Sequence, residues 1–356
     1  MKLENQNILI VSNEPWGDIW YSKHNWAFEL SKKNNVFFIN PPSNWKLSNL
    51  WNFKIKTETY TDTLCILNYQ NVFPFTRYNI VYQINNFIIS KRIKKWLLKN
   101  KYQEYIFWTF DPYRFSNPKL LNPKLSIYFR VDKYTVDKEK ILLENSDNLM
   151  VTSRELLKDI IFKGNVLELS HGISEEEFIP SNTVVYENGY FLYVGNIDDR
   201  IDILFIDKML QEFPNEQFVF IGRTYDLFSE LSQAIFYKNK YKNLIIHGVE
   251  HFKNLKNYIY YSKACLVPMD LTVHGNTIHH HKTLQYLALG KPIITPIFSD
   301  IINREEYLVS YKTIDEAIAK IKQLADVETD EKVAQRIQFA KQFTYDKLIE
   351  KVEQFL

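Results

Sequence analysis

Within its first 42 residues the chain passes through a short apolar segment, Asn7-Ile8-Leu9-Ile10-Val11-Ser12, a stretch of helical spacing from His24 to Lys33, and a second apolar segment, Val36-Phe37-Phe38-Ile39, stopped by Pro41-Pro42. Apolar runs this short, closed by polar or proline residues, read as buried strands, and Trp26, Ala27 and Leu30 share one face of the helix between them. Strand, helix and strand in about 40 residues make the βαβ unit of a parallel sheet. Such a sheet needs helices on both faces, which excludes all-β and all-helical architectures. Further strands are expected at Leu64–Leu67, Tyr105–Thr109, Leu125–Phe129 and Asn148–Thr152.

The pattern resets after Phe178. Pro180-Ser181-Asn182-Thr183 reads as a linker, and a second series opens with Tyr190-Phe191-Leu192-Tyr193-Val194-Gly195. Its later strands are Phe218–Gly222, Leu244–Gly248, Ala264–Pro268 and Pro292–Thr295, and Asp330 to Leu356 has helical periodicity without a breaker. A length of 356 residues suits two domains. We expect a first domain over 1–178, a second over 185–334, and a last helix over about 335–356 that packs back onto the first. Two doubly wound domains in succession leave a cleft at the carboxyl ends of their strands, where such sheets bind ligands. Only nine glycines occur, and Gly17, Gly195, Gly222 and Gly248 each follow an expected strand, where close backbone approach to a phosphate is useful.

Charge narrows the function classes. The net charge is +2, divided as +5 and −3 between the halves, and this balance argues against nucleic acid as a partner. Cys65 and Cys265 stand far apart with no charged-then-apolar leader, which points to a reduced, cytoplasmic setting without disulfides. Residues 45–101 hold 10 basic and 2 acidic residues among Trp45, Trp51, Phe53, Trp96 and Leu97. Lys91 to Lys101 therefore reads as a basic amphipathic helix able to dock on an anionic membrane surface, at the inner face of the plasma membrane.

The most specific segment runs from His274 to Ile294. From Lys282 its spacing is helical until Gly290 stops it, and Lys291-Pro292 leads into a strand. A helix beginning near His279–Lys282 offers unpaired N–H groups and the positive end of its dipole, a site for a diphosphate. Lys282 adds a full charge there, and Gln285, one turn on, can bond a sugar hydroxyl. His279-His280-His281 invites a metal reading, but adjacent histidines diverge on a helix and no acidic partner sits one turn away, so no metal is assigned.

This segment resembles the nucleotide-sugar-binding region of GT-B glycosyltransferases, in which Lys-x-x-Glu-Tyr-x-Ala-x-Gly-Lys-Pro precedes a strand. Ser126 to Tyr134, Glu144 to Ser153, Leu169 to Ser174 and Phe191 to Gly195 are similar to further blocks of these enzymes, and Pro15-Trp16, His24 and Pro41-Pro42 to the bacterial cell-surface polysaccharide branch. Where many retaining members carry Glu-x7-Glu, this chain has Thr277 and Gln285. The resemblance implies two Rossmann-like domains facing a central cleft, the first for the acceptor and the second for the donor. It implies metal-independent transfer of a sugar from a UDP- or GDP-sugar to a glycan or lipid-linked acceptor, with no cofactor beyond the donor itself. The donor-site candidates are Gly17, Gly195, Asn196, Arg200, Arg223, His281, Lys282, Thr283 and Gln285; the candidates for a general base are Asp18, His24, Asp111 and Asp132. The alternatives are a nucleotide-sugar 2-epimerase of similar fold, which needs more acid–base carboxylates around the sugar, and a noncatalytic sugar-binding or scaffold protein.

Overall fold

The computed structural model describes residues 1–51, 54–180, 183–187, 189–274, 281–297 and 307–356. The chain divides into two compact units, Met1–His171 with Tyr345–Leu356, and Gly172–Thr344.

Unit 1 contains β1 (Asn7–Val11), α1 (Ser22–Ser31), β2 (Asn35–Ile39), β3 (Lys56–Thr61), β4 (Leu64–Asn68), α2 (Asn79–Lys99), β5 (Ile106–Thr109), β6 (Leu125–Arg130), α3 (Asp137–Asn145), β7 (Asn148–Val151) and β8 (Asn165–Glu168). Its sheet has the order β3-β4-β2-β1-β5-β6-β7-β8 and is parallel except for the β3–β4 hairpin. Alternation along β1 shows why both faces are covered. Ile8 and Ile10 enter one core with Trp26 of α1 and with Tyr345, Leu348 and Val352 of the last helix, Tyr345–Phe355. Leu9 and Val11 enter the other with Ile89, Ile93 and Leu97 of α2.

Three differences from the sequence expectations concern this unit. The edge strands β3 and β8 were not expected, because each is largely exposed and carries no apolar run. The basic helix is the second half of a 21-residue α2, and two of its expected membrane anchors face inward: Leu97 is fully buried and Trp96 packs on Phe37 and Tyr102. The tail is not one helix. It turns through a 3-10 segment, Lys341–Phe343, and an extended Thr344 before the last helix begins, a break that needs no glycine or proline because any residue adopts that backbone.

Unit 2 contains β9 (Phe191–Val194), α4 (Ile203–Glu212), β10 (Phe218–Ile221), α5 (Glu230–Phe236), β11 (Leu244–Gly248), α6 (Leu255–Tyr261), β12 (Ala264–Leu266), α7 (Leu271–His274), α8 (His281–Ala288), β13 (Ile293–Pro296), β14 (Val309–Tyr311), α9 (Ile314–Lys322), α10 (Leu324–Val327) and α11 (Asp330–Ala340). Its sheet is wholly parallel, in the order β11-β10-β9-β12-β13-β14. The boundary at 171/172 precedes the expected one because Ile173 N–H donates to the Phe343 carbonyl at 2.9 Å and Phe178 packs on this unit's core. Likewise α11 belongs here, with Arg336 Nε donating to the Gly290 carbonyl at 2.9 Å, so only the chain from Tyr345 returns to unit 1.

Numbered by their order in the chain, the six strands of unit 2 lie 3-2-1-4-5-6, and the parallel strands of unit 1 follow the same order with one more at the end. This is the doubly wound arrangement whose ligands lie at the carboxyl ends of the strands, where the order reverses. The reversal falls between β9 and β12 in unit 2 and between β1 and β5 in unit 1.

Candidate functional site

In unit 2 the site is built on the end of β9. Gly195 and Gly222 continue the ladder beyond β9 and β10: Gly195 N–H donates to the Ile221 carbonyl at 2.9 Å, and Gly222 N–H to the Gly248 carbonyl at 2.7 Å. Both have left-sided backbones, with φ +151° and +152°. The loop from Gly195 to Asp202 is then tied on two sides. Ile197 bridges Thr224, and Ile201 bridges Met269, so the backbone around Asn196 and Arg200 is held before any ligand arrives.

Helix α8 lies against this end. The buried Tyr286 hydroxyl accepts from Val194 N–H at 3.0 Å, which fixes the helix head over the strand tip. Lys282 Nζ consequently sits 4.3 Å from the centroid of the Tyr193 ring, and 2.9 Å from where a side chain on Gly195 would begin. Among the described residues it makes no hydrogen bond and no ion pair. Burial, with a smaller effect of Arg200 and against the pull of Asp198, lowers its pKa to about 7. Arg200 is forked onto Asp198, with Nε at 2.9 and 3.0 Å and Nη2 at 2.6 Å from the carboxylate oxygens. Arg223 lies exposed over Tyr225, 5.4 Å from its centroid.

The other donor candidates have partners within the unit. His281 Nε2 is 2.9 Å from the Gly172 carbonyl, and Thr283 is buried. Gln285 Nε2 donates to Glu177 Oε1 at 2.5 Å, while Glu177 caps its own short helix by accepting Ser174 N–H at 3.0 Å. The Gln285 carbonyl oxygen takes no hydrogen bond among the described residues and stays available to a hydroxyl donor. Gly275, Thr277, His279 and His280 lie outside the described residues. Among those described, no group of three or more histidine, cysteine, aspartate or glutamate side chains is placed to hold a metal ion.

In unit 1 the four base candidates separate into two kinds. His24 is fully buried, its Nδ1 accepting Tyr21 N–H at 3.0 Å and its Nε2 donating to the Pro15 carbonyl at 3.0 Å, and burial lowers its pKa to about 4. Both nitrogens are committed to the backbone of the loop that carries Trp16 and Gly17. Asp111 is equally buried; one oxygen accepts Tyr113 N–H at 2.7 Å and the other Arg114 Nε at 2.6 Å. Asp18 and Asp132 are exposed, Asp18 without a hydrogen bond among the described residues and Asp132 accepting only from Lys133 N–H at 2.8 Å. Gly17 is exposed in unit 1, beside Asp18.

One residue of this end went unnoticed in the sequence. Lys23, in the first turn of α1, is buried, donates to Asn13 Oδ1 at 2.5 Å, and has its pKa lowered to about 8 by burial against the fields of Glu14, Asp111 and Asp132. The signal that finds it is a lysine at a helix head with no acid in that turn, the same as for Lys282.

Two largely parallel sheets of Rossmann order in one chain make this a double Rossmann-like α/β protein. Its fold is that of the GT-B glycosyltransferases. Sucrose-phosphate synthase from Thermosynechococcus elongatus matches over 98% of both chains with a TM-score of 0.71 at 12% identity. "Trehalose-6-phosphate from E. coli bound with UDP-2-fluoro glucose" matches over 98% of this chain and 99% of the other, with a TM-score of 0.67 at 12% identity. The lipopolysaccharide outer core galactosyltransferase WaaB, in its apo form, covers 98% and 99%, with a TM-score of 0.58 at 14% identity. No protein-family model matches the chain. No curated protein matches it significantly.

Proposed function

We propose that this protein is a glycosyltransferase that moves a sugar from a UDP- or GDP-sugar to a hydroxyl of a glycan or lipid-linked acceptor in cell-surface polysaccharide synthesis. The observation that carries the reading is Lys282: a desolvated amine without an ion pair or hydrogen bond among the described residues, held at the head of α8 beside the Gly195 strand end. Its charge and the first-turn amides of α8 would meet the diphosphate, with Arg200 and Arg223 as further cations, and would stabilise the diphosphate as it leaves without a metal ion. The Gln285 carbonyl oxygen would take a ribose hydroxyl. The acceptor proton would pass to Asp18 or Asp132, the two base candidates whose carboxylates are exposed. The E. coli neighbour's UDP-2-fluoro glucose supports a UDP-sugar as the first donor to try.

Calorimetry with UDP and GDP, followed by incubation with radiolabelled UDP-glucose and GDP-mannose with and without membrane glycolipid, tests the reading. Nucleotide binding with transfer to the glycolipid is expected. Conversion of the donor sugar alone would identify an epimerase, and no heat from either nucleotide at millimolar concentration would end the transferase reading.

The same proposal places the protein at the cytoplasmic face of a membrane. No helix among the described residues is long and apolar enough to cross one. Yet along one side of α2 Ile80 is 74% exposed, Ile84 42% and Phe87 48%, and Lys91, Lys95 and Lys99 continue the exposed face. Apolar anchors followed by cations suit an anionic bilayer surface. Cosedimentation with phosphatidylglycerol vesicles should exceed that with phosphatidylcholine and fade with salt, and Ile80→Glu with Phe87→Glu should abolish it. Equal sedimentation with both lipids would leave a soluble acceptor.

A further inference from the structure

Unit 1 holds an open cleft of about 370 Å³ beyond the carboxyl ends of β2 and β4, flanked by α2 and α3, a volume suited to a small ligand. Three cations line it, Arg77, Arg114 and Lys138, and no lining residue is acidic; three tyrosines and three asparagines supply hydroxyls and amides. The wall is formed in advance. Asn85 Oδ1 accepts Val72 and Phe73 N–H, both at 2.9 Å, and Arg114 joins four strand ends through Asp111, the Asn40 carbonyl, the Tyr69 hydroxyl and the Ser12 carbonyl.

The charges are unequally compensated. Arg114 is balanced by Asp111. Lys138 is not: among the described residues it has neither an ion pair nor a hydrogen bond, and its Nζ stands 3.7 Å from the centroid of the Tyr82 ring. It lies in the first turn of α3 between Asp137 and Glu139, where the helix dipole disfavours a cation, and burial lowers its pKa against the pull of Asp111. Arg77, at the exposed rim, rests on Tyr78 and meets no carboxylate among the described residues. A half-buried lysine placed against the dipole costs stability, and only the Tyr82 ring and the field of Asp111, with no ion pair among the described residues, offset it. A ligand that brings negative charge would offset it further.

We infer that this cleft binds a sugar carrying an anionic group, phosphate or carboxylate, with Lys138 and Arg77 meeting the anion and the tyrosines and asparagines meeting the ring hydroxyls. The inference rests on the transferase reading above and makes that sugar the acceptor.

Calorimetry on the full chain with glucose 6-phosphate, glucuronate and glucose tests it, with UDP affinity measured on the same samples. Binding of at least one charged sugar about tenfold tighter than glucose is expected, the better probe showing which anion is taken. Lys138→Gln should lower that affinity about tenfold while the protein melts no earlier, since a cation leaves a helix head, and Arg77→Gln should act in the same direction. Neither charged sugar binding at millimolar concentration, glucose binding as tightly, or Lys138→Gln leaving the affinity unchanged would each overturn the inference. UDP affinity should be unmoved by both substitutions. Charged-sugar binding that fails beside intact UDP binding removes the acceptor site and spares the donor reading; absent UDP binding removes the donor reading itself.

Discussion

Lys282→Met should weaken UDP binding about tenfold to a hundredfold at pH 7, by the roughly 1.5–3 kcal/mol that a charge-assisted hydrogen bond contributes, without an earlier melt. In the free protein burial lowers the Lys282 pKa to about 7, so the neutral amine is populated near that pH. The diphosphate needs the ammonium, so binding draws in a proton. Wild-type affinity should therefore fall as pH rises above about 7, by up to tenfold per unit, and this slope should be absent in the variant. Calorimetry in two buffers of different ionisation enthalpy reads the proton uptake directly. Stability runs the other way. The folded pKa lies below the ordinary 10.5, so the unliganded fold bears the whole cost of the buried ammonium below about pH 7 and sheds it as pH rises toward 10.5. Removing the amine lifts that cost, so the variant should melt no lower than wild type at pH 7. Unchanged UDP affinity in such a protein would move the diphosphate away from α8.

Gly222→Ala should destabilise unit 2 by about 3 kcal/mol or more, because two costs coincide there. A Cβ at Gly222 would stand 1.9 Å from the Gly195 carbonyl oxygen and 2.7 Å from its carbon, both backbone atoms held in the ladder, and its φ of +152° disfavours any side chain. Gly248→Ala is the comparison. Its φ is +86° but nothing lies within 4 Å, so only backbone strain of about 1 kcal/mol is expected. Gly17→Ala, with open space and no such φ, should change stability little. Denaturant unfolding of the three variants checks the order. A Gly222→Ala protein as stable as Gly248→Ala would mean that the β9 and β10 ends separate easily, contrary to their hydrogen bonding.

Those glycines show where reading the sequence stops. All four follow expected strands and look alike in it, yet only the distances across neighbouring strands separate a turn in open space from a backbone contact. The acid–base candidates behave likewise. Asp18, Asp111 and Asp132 stand near expected strand ends and His24 at a helix start, but the committed nitrogens of His24 and the Arg114 bond on Asp111 come from residues brought together by the fold.

What the sequence determined by itself was the alternation. Short apolar runs, helical stretches of matching face, and their restart after 178 predict two doubly wound parallel units, and Lys282 at a helix head before a glycine stop marks the diphosphate candidate. These are properties of a few consecutive residues, because burial on both faces of a strand and on one face of a helix writes itself into local periodicity. Only the tertiary structure decided the edge hairpin β3–β4, the turn at Thr344 that assigns α11 to unit 2 and the last helix to unit 1, the inward faces of Trp96 and Leu97, and the place of Lys138 over the Tyr82 ring in an acid-free lining. Each depends on which distant residue lies opposite, and a chain's local pattern records that a side chain is buried or charged but not what partner meets it.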